Sequence, residues 1–183
     1  MDRRLFIKTS FIYMASLFSY PKTAYSLQTN RANIGEIAPN FQLEGTSNSG
    51  QINSNWQLRN HLGVWLILYF YPKDFTSGCT IEAKGFEMLY PKFVKLNTEI
   101  AGISADNLNE HESFCSSAEL SFTLLSDPNG KISREYDAWN PPYSARKTYL
   151  IDPKGIIRAK WENVNPRKHP LDVYNKLKEL SIQ

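Results

Sequence analysis

The feature that most constrains the fold is a continuous apolar run over residues 65–71, with the sequence Trp-Leu-Ile-Leu-Tyr-Phe-Tyr. Its side chains do not alternate between apolar and polar, so both faces of the strand that it predicts must be buried. Strands of this kind belong to parallel or mixed sheets. The run therefore predicts a mixed sheet in which this strand is an interior member.

The chain alternates strand and helix signals from residue 33 onward. Strands are predicted at residues 41–44, 65–71, 100–104, 122–125, 148–151 and 156–161, and the last two should form a hairpin. Helices are predicted at residues 79–96, 108–120, 131–136 and 171–180. We expect Pro91 to kink or split the first helix, and a polar loop to extend from the first strand to about Asn55. This order predicts the α/β class, with a mixed central sheet flanked by helices and no second domain.

One of the only two cysteines, Cys79, comes directly after the central strand and at the start of a helical pattern. The unpaired backbone N–H groups and the dipole at a helix N-terminus favour an anion. A thiol in that position loses its proton more easily and becomes a nucleophile at neutral pH. The sequence therefore predicts reactive-cysteine chemistry at residue 79.

Residues 1–26 have the composition of a signal peptide, with a basic start, an apolar run over residues 11–18 and small residues before the end. The paired Arg3 and Arg4, followed by Leu-Phe-Ile-Lys, resemble a twin-arginine signal, which carries a folded protein across a bacterial membrane. We expect cleavage after Ser26, one domain over residues 27–183, and export to the bacterial periplasm or an equivalent lumen. An ordinary Sec signal is one alternative, and a retained amphipathic helix, which would leave the protein in the cytoplasm, is another.

The N-terminal segment accounts for the whole formal net charge of +3. The rest of the chain is neutral, so nothing in its charge indicates nucleic-acid binding. No apolar run is long enough to span a bilayer, so no stable membrane insertion is expected after cleavage. The three histidines and two cysteines lack the spacing of metal ligands.

Several blocks of the sequence resemble one enzyme family. The pattern Pro72-x-x-x-Thr76-x-x-Cys79 resembles the active-site signature of the peroxiredoxins. The text over residues 69–83 is similar to that of the peroxiredoxin Q branch, also called bacterioferritin comigratory protein. Three further blocks resemble other parts of the family in the correct order: residues 34–41, 124–127 and 146–152. Together the blocks cover nearly all of the chain after residue 33.

The resemblance implies a thioredoxin-like fold and a thiol peroxidase that uses no metal and no organic cofactor. Cys79 would be the peroxidatic cysteine, whose thiolate attacks hydrogen peroxide or an organic hydroperoxide and becomes a sulfenic acid. Thr76 would hydrogen-bond the thiolate or the peroxide, and Pro72 would shield the sulfur from water. Arg146, placed by its block, would lower the pKa of the thiol and hold the peroxide oxygens with its fixed charge.

The second cysteine decides the subtype. Many members of the branch carry a resolving cysteine five residues after the peroxidatic one, a position that Lys84 occupies here. Other members place it on the second helix, where this chain has Cys115, so Cys115 would form an intramolecular disulfide with oxidised Cys79. Two sulfurs at the starts of separate helices are too far apart for a disulfide, so we expect both segments to unfold locally during turnover. Thioredoxin or a similar dithiol would then reduce the disulfide, and a monomer would suffice because both cysteines belong to one chain.

Other interpretations of these residues stay open. Cys115 could be an inert buried thiol in a one-cysteine enzyme, or the two cysteines could form a structural disulfide in an exported, non-enzymatic binding protein. A disulfide exchanger of the thioredoxin type is disfavoured, because Glu82 stands where a Cys-x-x-Cys motif needs its second cysteine. Glu82 is predicted to complement the helix N-terminus. His111, one helical turn before Cys115, is predicted to be solvated, or alternatively to lower the pKa of that thiol.

Overall fold

The computed structural model describes residues 32–181, and the predicted signal segment lies outside them. The described chain forms a seven-stranded sheet, a two-stranded ribbon, four α-helices and a 3-10 helix. The strands of the large sheet are β1 (Gln42–Thr46), β2 (Asn53–Gln57), β3 (Trp65–Phe70), β4 (Thr98–Ser104), β5 (Thr123–Ser126), β8 (Lys147–Ile151) and β9 (Ile157–Glu162). The ribbon consists of β6 (Trp139–Asn140) and β7 (Tyr143–Ser144). The helices are α1 (Ser77–Lys95), α2 (Leu108–Ala118), α3 (Lys131–Glu135) and α4 (His169–Ser181), and the 3-10 helix is Leu58–His61.

The large sheet is mixed and has the strand order β2-β1-β5-β4-β3-β8-β9. Strands β5, β4 and β3 are parallel to one another, and β1 and β8 join them antiparallel on the two sides. Strands β8 and β9 form the predicted antiparallel hairpin. The predicted α/β class, with a mixed sheet and β3 in its interior, is confirmed.

Strand β3 is buried on both faces, as its continuous apolar sequence predicts. Ile67 and Tyr69 belong to the core cluster that α1, α2 and α4 cover, and Leu66 and Phe70 belong to the cluster on the opposite face. Burying a side chain of this size stabilises the fold by about 1.5–3 kcal/mol. The strand is therefore a firmly anchored base for the turn that follows it.

Helix α1 continues through Pro91, so the predicted split of this helix is wrong. Proline has no N–H and leaves the carbonyl four residues earlier without its helical partner. Pro91 is exposed and only four residues from the end of α1, so water can solvate that carbonyl and the helix need not end there. Within residues 32–181, no helix combines the length and the apolar composition needed to cross a membrane.

The structure also contains a strand where the sequence predicts a polar loop. Strand β2 pairs with β1 at the edge of the sheet, and its first three residues are exposed. Only Trp56 and Gln57 of this strand are buried. An edge strand needs apolar residues only where it meets the core, so most of its sequence has the composition of a loop.

Candidate active site

Cys79 lies at the N-terminus of α1, as the sequence predicts. Strand β3 ends at Phe70, and the chain reaches the helix through a short turn in which Thr76 is the N-cap residue. Cys79 is therefore the third residue of α1. The N–H groups of this first turn have no partner within the helix, and the helix dipole adds partial positive charge. This position favours a negative charge on the sulfur.

The Cys79 sulfur is almost enclosed and lies against a guanidinium group. Cys79 is 2% exposed, and Nη2 of Arg146 donates a hydrogen bond to its Sγ over 3.3 Å. Arg146 lies just before β8, and the N–H of the preceding Ala145 bonds to the carbonyl of Ala138 over 2.8 Å. That bond anchors the ribbon in front of Arg146. The fold thus brings together two residues that are 67 positions apart in the chain.

Glu82 holds the guanidinium on its other side. Its Oε2 accepts a hydrogen bond from Nη1 of Arg146, and the Glu82 side chain is fully buried. Burial raises the pKa of Glu82 from 4.5 to about 7, although the charge of Arg146 opposes the shift. Glu82 therefore lies beside the Cys79 thiol, close to the active site, where the family resemblance also places its counterpart. Its spacing from Cys79, three residues along the same helix, also indicates this position.

Two buried oxygen atoms near the site have no hydrogen-bond partner within residues 32–181: Oε1 of Glu82 and the hydroxyl of Tyr69. Burial raises the pKa of Tyr69 well above its usual range, and the charges of Glu82 and Asp74 add to this effect. The Tyr69 ring also lies against Gly102, where a Cβ would come within 2.7 Å of it. Because Gly102 has no Cβ, the buried Tyr69 ring has room beside it.

Gly78 is a residue that the sequence analysis missed. A Cβ at this position would lie 3.3 Å from Nη2 of Arg146 and 3.7 Å from Cγ of Pro166. The first distance is shorter than an ordinary van der Waals contact, so a side chain here would press on the guanidinium. A glycine directly before the helix-terminal cysteine was the signal that could have indicated this role.

Thr76 and Pro72 lie in the turn between β3 and α1. The Thr76 hydroxyl donates to the carbonyl of Lys73 over 2.9 Å, so its proton is directed away from the sulfur and its oxygen is free to accept. Pro72 is half-buried directly after Tyr71. The structure therefore places both residues beside the start of α1, and their roles toward a peroxide stay predictions.

Cys115 is fully buried near the C-terminal end of α2, so the expectation that both cysteines lie at helix starts is wrong. Its Sγ lies 4.0 Å from the carbonyl oxygen of Thr46. Burial, to which the charge of Asp74 adds, raises the pKa of this thiol to about 12. Both cysteines are free thiols in this structure. In the folded state Cys115 is therefore protonated and inaccessible.

His111 is fully buried, so the prediction of a solvated side chain is wrong. Its Nδ1 lies 2.7 Å from Oδ2 of Asp74, and its Nε2 lies 3.2 Å from the carbonyl oxygen of Leu125. The alternative, in which His111 lowers the pKa of Cys115, stays a prediction, and that pKa is raised overall by burial and by the charge of Asp74. His111 shares one face of α2 with Phe114 and Cys115, which was the signal for its burial.

A cluster of carboxylate oxygens and a histidine ring nitrogen, which are atoms that can bind metals, lies within 4.8 Å. It is formed by Asp74, Asp106 and His111. Asp106 accepts hydrogen bonds from the backbone N–H of Asp74 over 2.9 Å and from the hydroxyl of Ser104 over 2.6 Å. Tyr71 donates its hydroxyl to Asp74 over 2.8 Å. These groups thus bind one another, and we interpret them as a network that joins the turn before α1 to α2.

Comparisons with known proteins cover the residues of this site. Residues 34–160 match the model of the AhpC/TSA family. The chain is 32% identical to the peroxiredoxin Bcp of Bacillus subtilis over 156 residues, which cover 81% of this chain and 96% of that protein. Both matches include the turn that carries Cys79 and the loop that carries Arg146.

Solved structures of similar proteins share the fold. A mutant of Xylella fastidiosa PrxQ has a TM-score of 0.74 and 31% identity, over 81% of this chain and 97% of that one. The Xanthomonas campestris bacterioferritin comigratory protein, solved in a study of its alkyl peroxide reduction activity, has a TM-score of 0.69 and 32% identity, over 77% of this chain and 92% of that one. Two cysteine-to-serine mutants of Xanthomonas campestris peroxiredoxin Q are also known, at positions 36 residues apart. The expected thioredoxin-like fold is confirmed.

Proposed function

We propose that this chain, which belongs to the AhpC/TSA family and to its peroxiredoxin Q branch, reduces peroxides through a thiolate on Cys79. As a peroxiredoxin it is a thiol-dependent peroxidase. The observation that carries the assignment of Cys79 is its place at the start of α1 with Arg146 at 3.3 Å from the sulfur. Both the helix terminus and the guanidinium stabilise a negative charge on Sγ.

In the first step the Cys79 thiolate attacks one oxygen of a hydroperoxide and the O–O bond breaks. The sulfur takes this oxygen and becomes a sulfenic acid, and the other oxygen leaves, with a proton, as water or an alcohol. Negative charge develops on the leaving oxygen, and Arg146 has further N–H donors that can bind it. Glu82 keeps the guanidinium in position for this step because it is buried and bonded to the opposite nitrogen.

Thr76 and Pro72 complete the proposed peroxide site. Because the Thr76 proton is bound to the Lys73 carbonyl, its oxygen accepts a hydrogen bond from the peroxide O–H and orients it toward the sulfur. Pro72 excludes water from the approach to Cys79. We extend the substrates from hydrogen peroxide to organic hydroperoxides, because a relative of this chain reduces alkyl peroxides and the exposed ring of Phe75 lies in the turn before α1.

We assign Cys115 as the resolving cysteine. It lies 36 residues after Cys79 (115 − 79), the same separation as between the two cysteines replaced in Xanthomonas campestris peroxiredoxin Q. Since Cys115 is buried and protonated in the folded state, α2 must open before its sulfur can attack the sulfenic acid. Thioredoxin or another dithiol then reduces the disulfide and restores both thiols.

We also propose that the enzyme is exported and acts as a monomer. Export rests on the composition of residues 1–26, and the monomer on the presence of both reacting cysteines in one chain. Cell fractionation and the N-terminal mass of the secreted form test the first proposal, with cleavage after Ser26 as the expected result. Replacing Arg3 and Arg4 with lysines should block transport if the twin-arginine route is used, and should leave it intact if the Sec route is used.

The peroxidase assignment is tested by peroxide consumption coupled to a thioredoxin system. We expect Cys79→Ser to abolish consumption, and Cys115→Ser to reduce one equivalent of peroxide and then stop. Retained activity in Cys79→Ser would refute the assignment of the attacking residue. Full turnover in Cys115→Ser would instead support the one-cysteine enzyme, in which an external thiol resolves Cys79.

A further inference from the structure

A buried ion pair joins the segment of Cys79 to the helix of Cys115. Asp74 lies in the turn five residues before Cys79, and His111 lies on α2 one helical turn before Cys115. Oδ2 of Asp74 and Nδ1 of His111 are 2.7 Å apart, and neither side chain is more than 1% exposed. The pair therefore bridges the two segments that carry the reacting sulfurs.

The hydrogen-bond geometry around these two groups favours an ion pair. Both ring nitrogens of His111 face acceptors, namely the Asp74 carboxylate and the carbonyl oxygen of Leu125. Only an imidazolium ring can donate to both acceptors at once, and in that form it makes an ion pair with the Asp74 carboxylate. Asp74 also accepts from the Tyr71 hydroxyl over 2.8 Å, as a carboxylate does. Breaking such a pair leaves a buried charge without its partner, which is strongly unfavourable.

The network holds the turn at a second point. The backbone N–H of Asp74 donates to Asp106, which follows β4, and Asp106 is itself held by Ser104 at the end of that strand. The ring of Phe75 also meets the ring of Phe114 edge-on, with centroids 5.2 Å apart. The turn before Cys79 is thus fixed both to the sheet and to α2.

Formation of the disulfide requires this arrangement to open. The Cys115 sulfur is fully buried, and an unwinding of α2 that includes the turn before Cys115 moves His111 away from Asp74. A displacement of the turn before Cys79 separates the same two groups. Either movement therefore breaks the ion pair.

We propose that Asp74 and His111 are positioning residues whose ion pair holds both cysteine segments folded and so limits the rate at which oxidised Cys79 is joined to Cys115. This inference rests on the proposed function of the two cysteines. In the step concerned, the Cys115 sulfur attacks the Cys79 sulfenic acid and an S–S bond forms. The S–O bond breaks, and the oxygen leaves as water with the proton of the Cys115 thiol.

The pair also decides between two reactions of the Cys79 sulfenic acid, namely further oxidation by peroxide and formation of the disulfide. While it is intact, the sulfenic acid on Cys79 persists and a second peroxide can convert it to a sulfinic acid, with release of water. Once it breaks, the disulfide forms and the sulfur is protected. Weakening the pair should therefore speed disulfide formation and reduce the sulfinic product at high peroxide concentration.

The test compares Asp74→Asn and His111→Gln with Asp152→Asn. Asp152 is a matched control because it is also a buried, ion-paired carboxylate, but it lies at the far end of β8 and pairs with Arg158. In a Cys79→Ser background Cys115 is the only thiol, so its rate of alkylation without denaturant measures the opening of α2. A lost hydrogen bond between charged groups predicts an increase of about tenfold or more in the first two variants, and of less than about twofold in the control.

The same substitutions in the protein with both cysteines should speed disulfide formation after one equivalent of peroxide and lower the sulfinic fraction. The inference is overturned if Asp74→Asn and His111→Gln alkylate at the parent rate, or if Asp152→Asn accelerates alkylation equally. If the two variants do not fold, Tyr71→Phe replaces them, because it removes one hydrogen-bond donor to Asp74. Faster alkylation of Cys115 in this variant supports the inference, and the parent rate overturns it. The alkylation arm needs no peroxide, so it is independent of the proposed catalytic cycle, whose own failure would show as no disulfide in the unmodified protein.

Discussion

Replacing Glu82 with glutamine should change how the stability of this protein depends on pH. The Glu82 carboxyl is fully buried, and its pKa is raised from 4.5 to about 7, because burial outweighs the attraction of Arg146. An acid whose pKa is higher in the folded state binds its proton more tightly there. Its contribution to stability is therefore complete below about pH 4.5 and is lost as the pH rises through about 7.

The magnitude follows from the shift. The pKa of Glu82 is about 2.5 higher in the folded state than in the unfolded state. At about 1.36 kcal/mol for each step of one in pKa, this changes the unfolding free energy by about 3 kcal/mol. Glutamine has no charge to bury, and its carbonyl oxygen can still accept from Arg146. The unfolding free energy of Glu82→Gln, relative to the unmodified protein, should thus increase by about 3 kcal/mol between about pH 4.5 and pH 8.

Urea unfolding of the reduced protein, followed by circular dichroism at several pH values, measures this difference directly. Glu179→Gln is the matched control, since Glu179 is an exposed partner of Lys176 on α4, and its difference should stay flat. A Glu82→Gln difference that is equally flat, or that falls with rising pH, would refute the reasoning. A falling difference would mean that Arg146 stabilises the ionised Glu82 by more than burial costs.

Three further results are expected. Arg146→Lys should lower the second-order rate constant for peroxide reduction by about a hundredfold, because a lysine cannot bond to two partners in a fixed fork, whereas Lys147→Gln at the next position should change it little. Gly78→Ala should lower this rate constant by about tenfold without loss of thermal stability, since its Cβ would meet the guanidinium at 3.3 Å while alanine favours the helix. Burial lowers the pKa of His169 from 6.5 to about 4, so the neutral ring contributes stability above about pH 6.5 that is lost toward about pH 4. His169→Gln should flatten urea-unfolding stability across that window.

The parts of the fold that the sequence could predict are those with a strong local pattern. The apolar run of β3, buried on both faces, could belong only to an interior strand, and the cysteine after it could only begin the next helix. Strand β2 could not be predicted, because most of its side chains face solvent and its place at the edge depends on β1. The predicted split of α1 at Pro91 was wrong for a related reason. The free-energy cost of a proline inside a helix depends on whether water can reach the unpaired carbonyl, and the sequence does not give that exposure.

The site residues that belong to one sequence motif could be predicted. The contacts between buried charged side chains could not. Resemblance placed Arg146, but only the fold shows that Glu82 lies on its other side. His111 was expected in solvent because its partner, Asp74, is 37 positions away in the chain. Pairing between distant charged residues leaves no local pattern, so the sequence alone did not indicate these contacts.

The central claim, that Cys79 is oxidised and Cys115 resolves it, is tested most directly by intact mass spectrometry after one equivalent of peroxide. The mass of the reduced protein should fall by two hydrogens as the disulfide forms. The mass of Cys115→Ser should rise by one oxygen, and a reagent that traps sulfenic acids should label this product. Cys79→Ser should keep its mass. An oxygen gained by the unmodified protein without a disulfide, or any oxidation of Cys79→Ser at the same rate, would contradict the account.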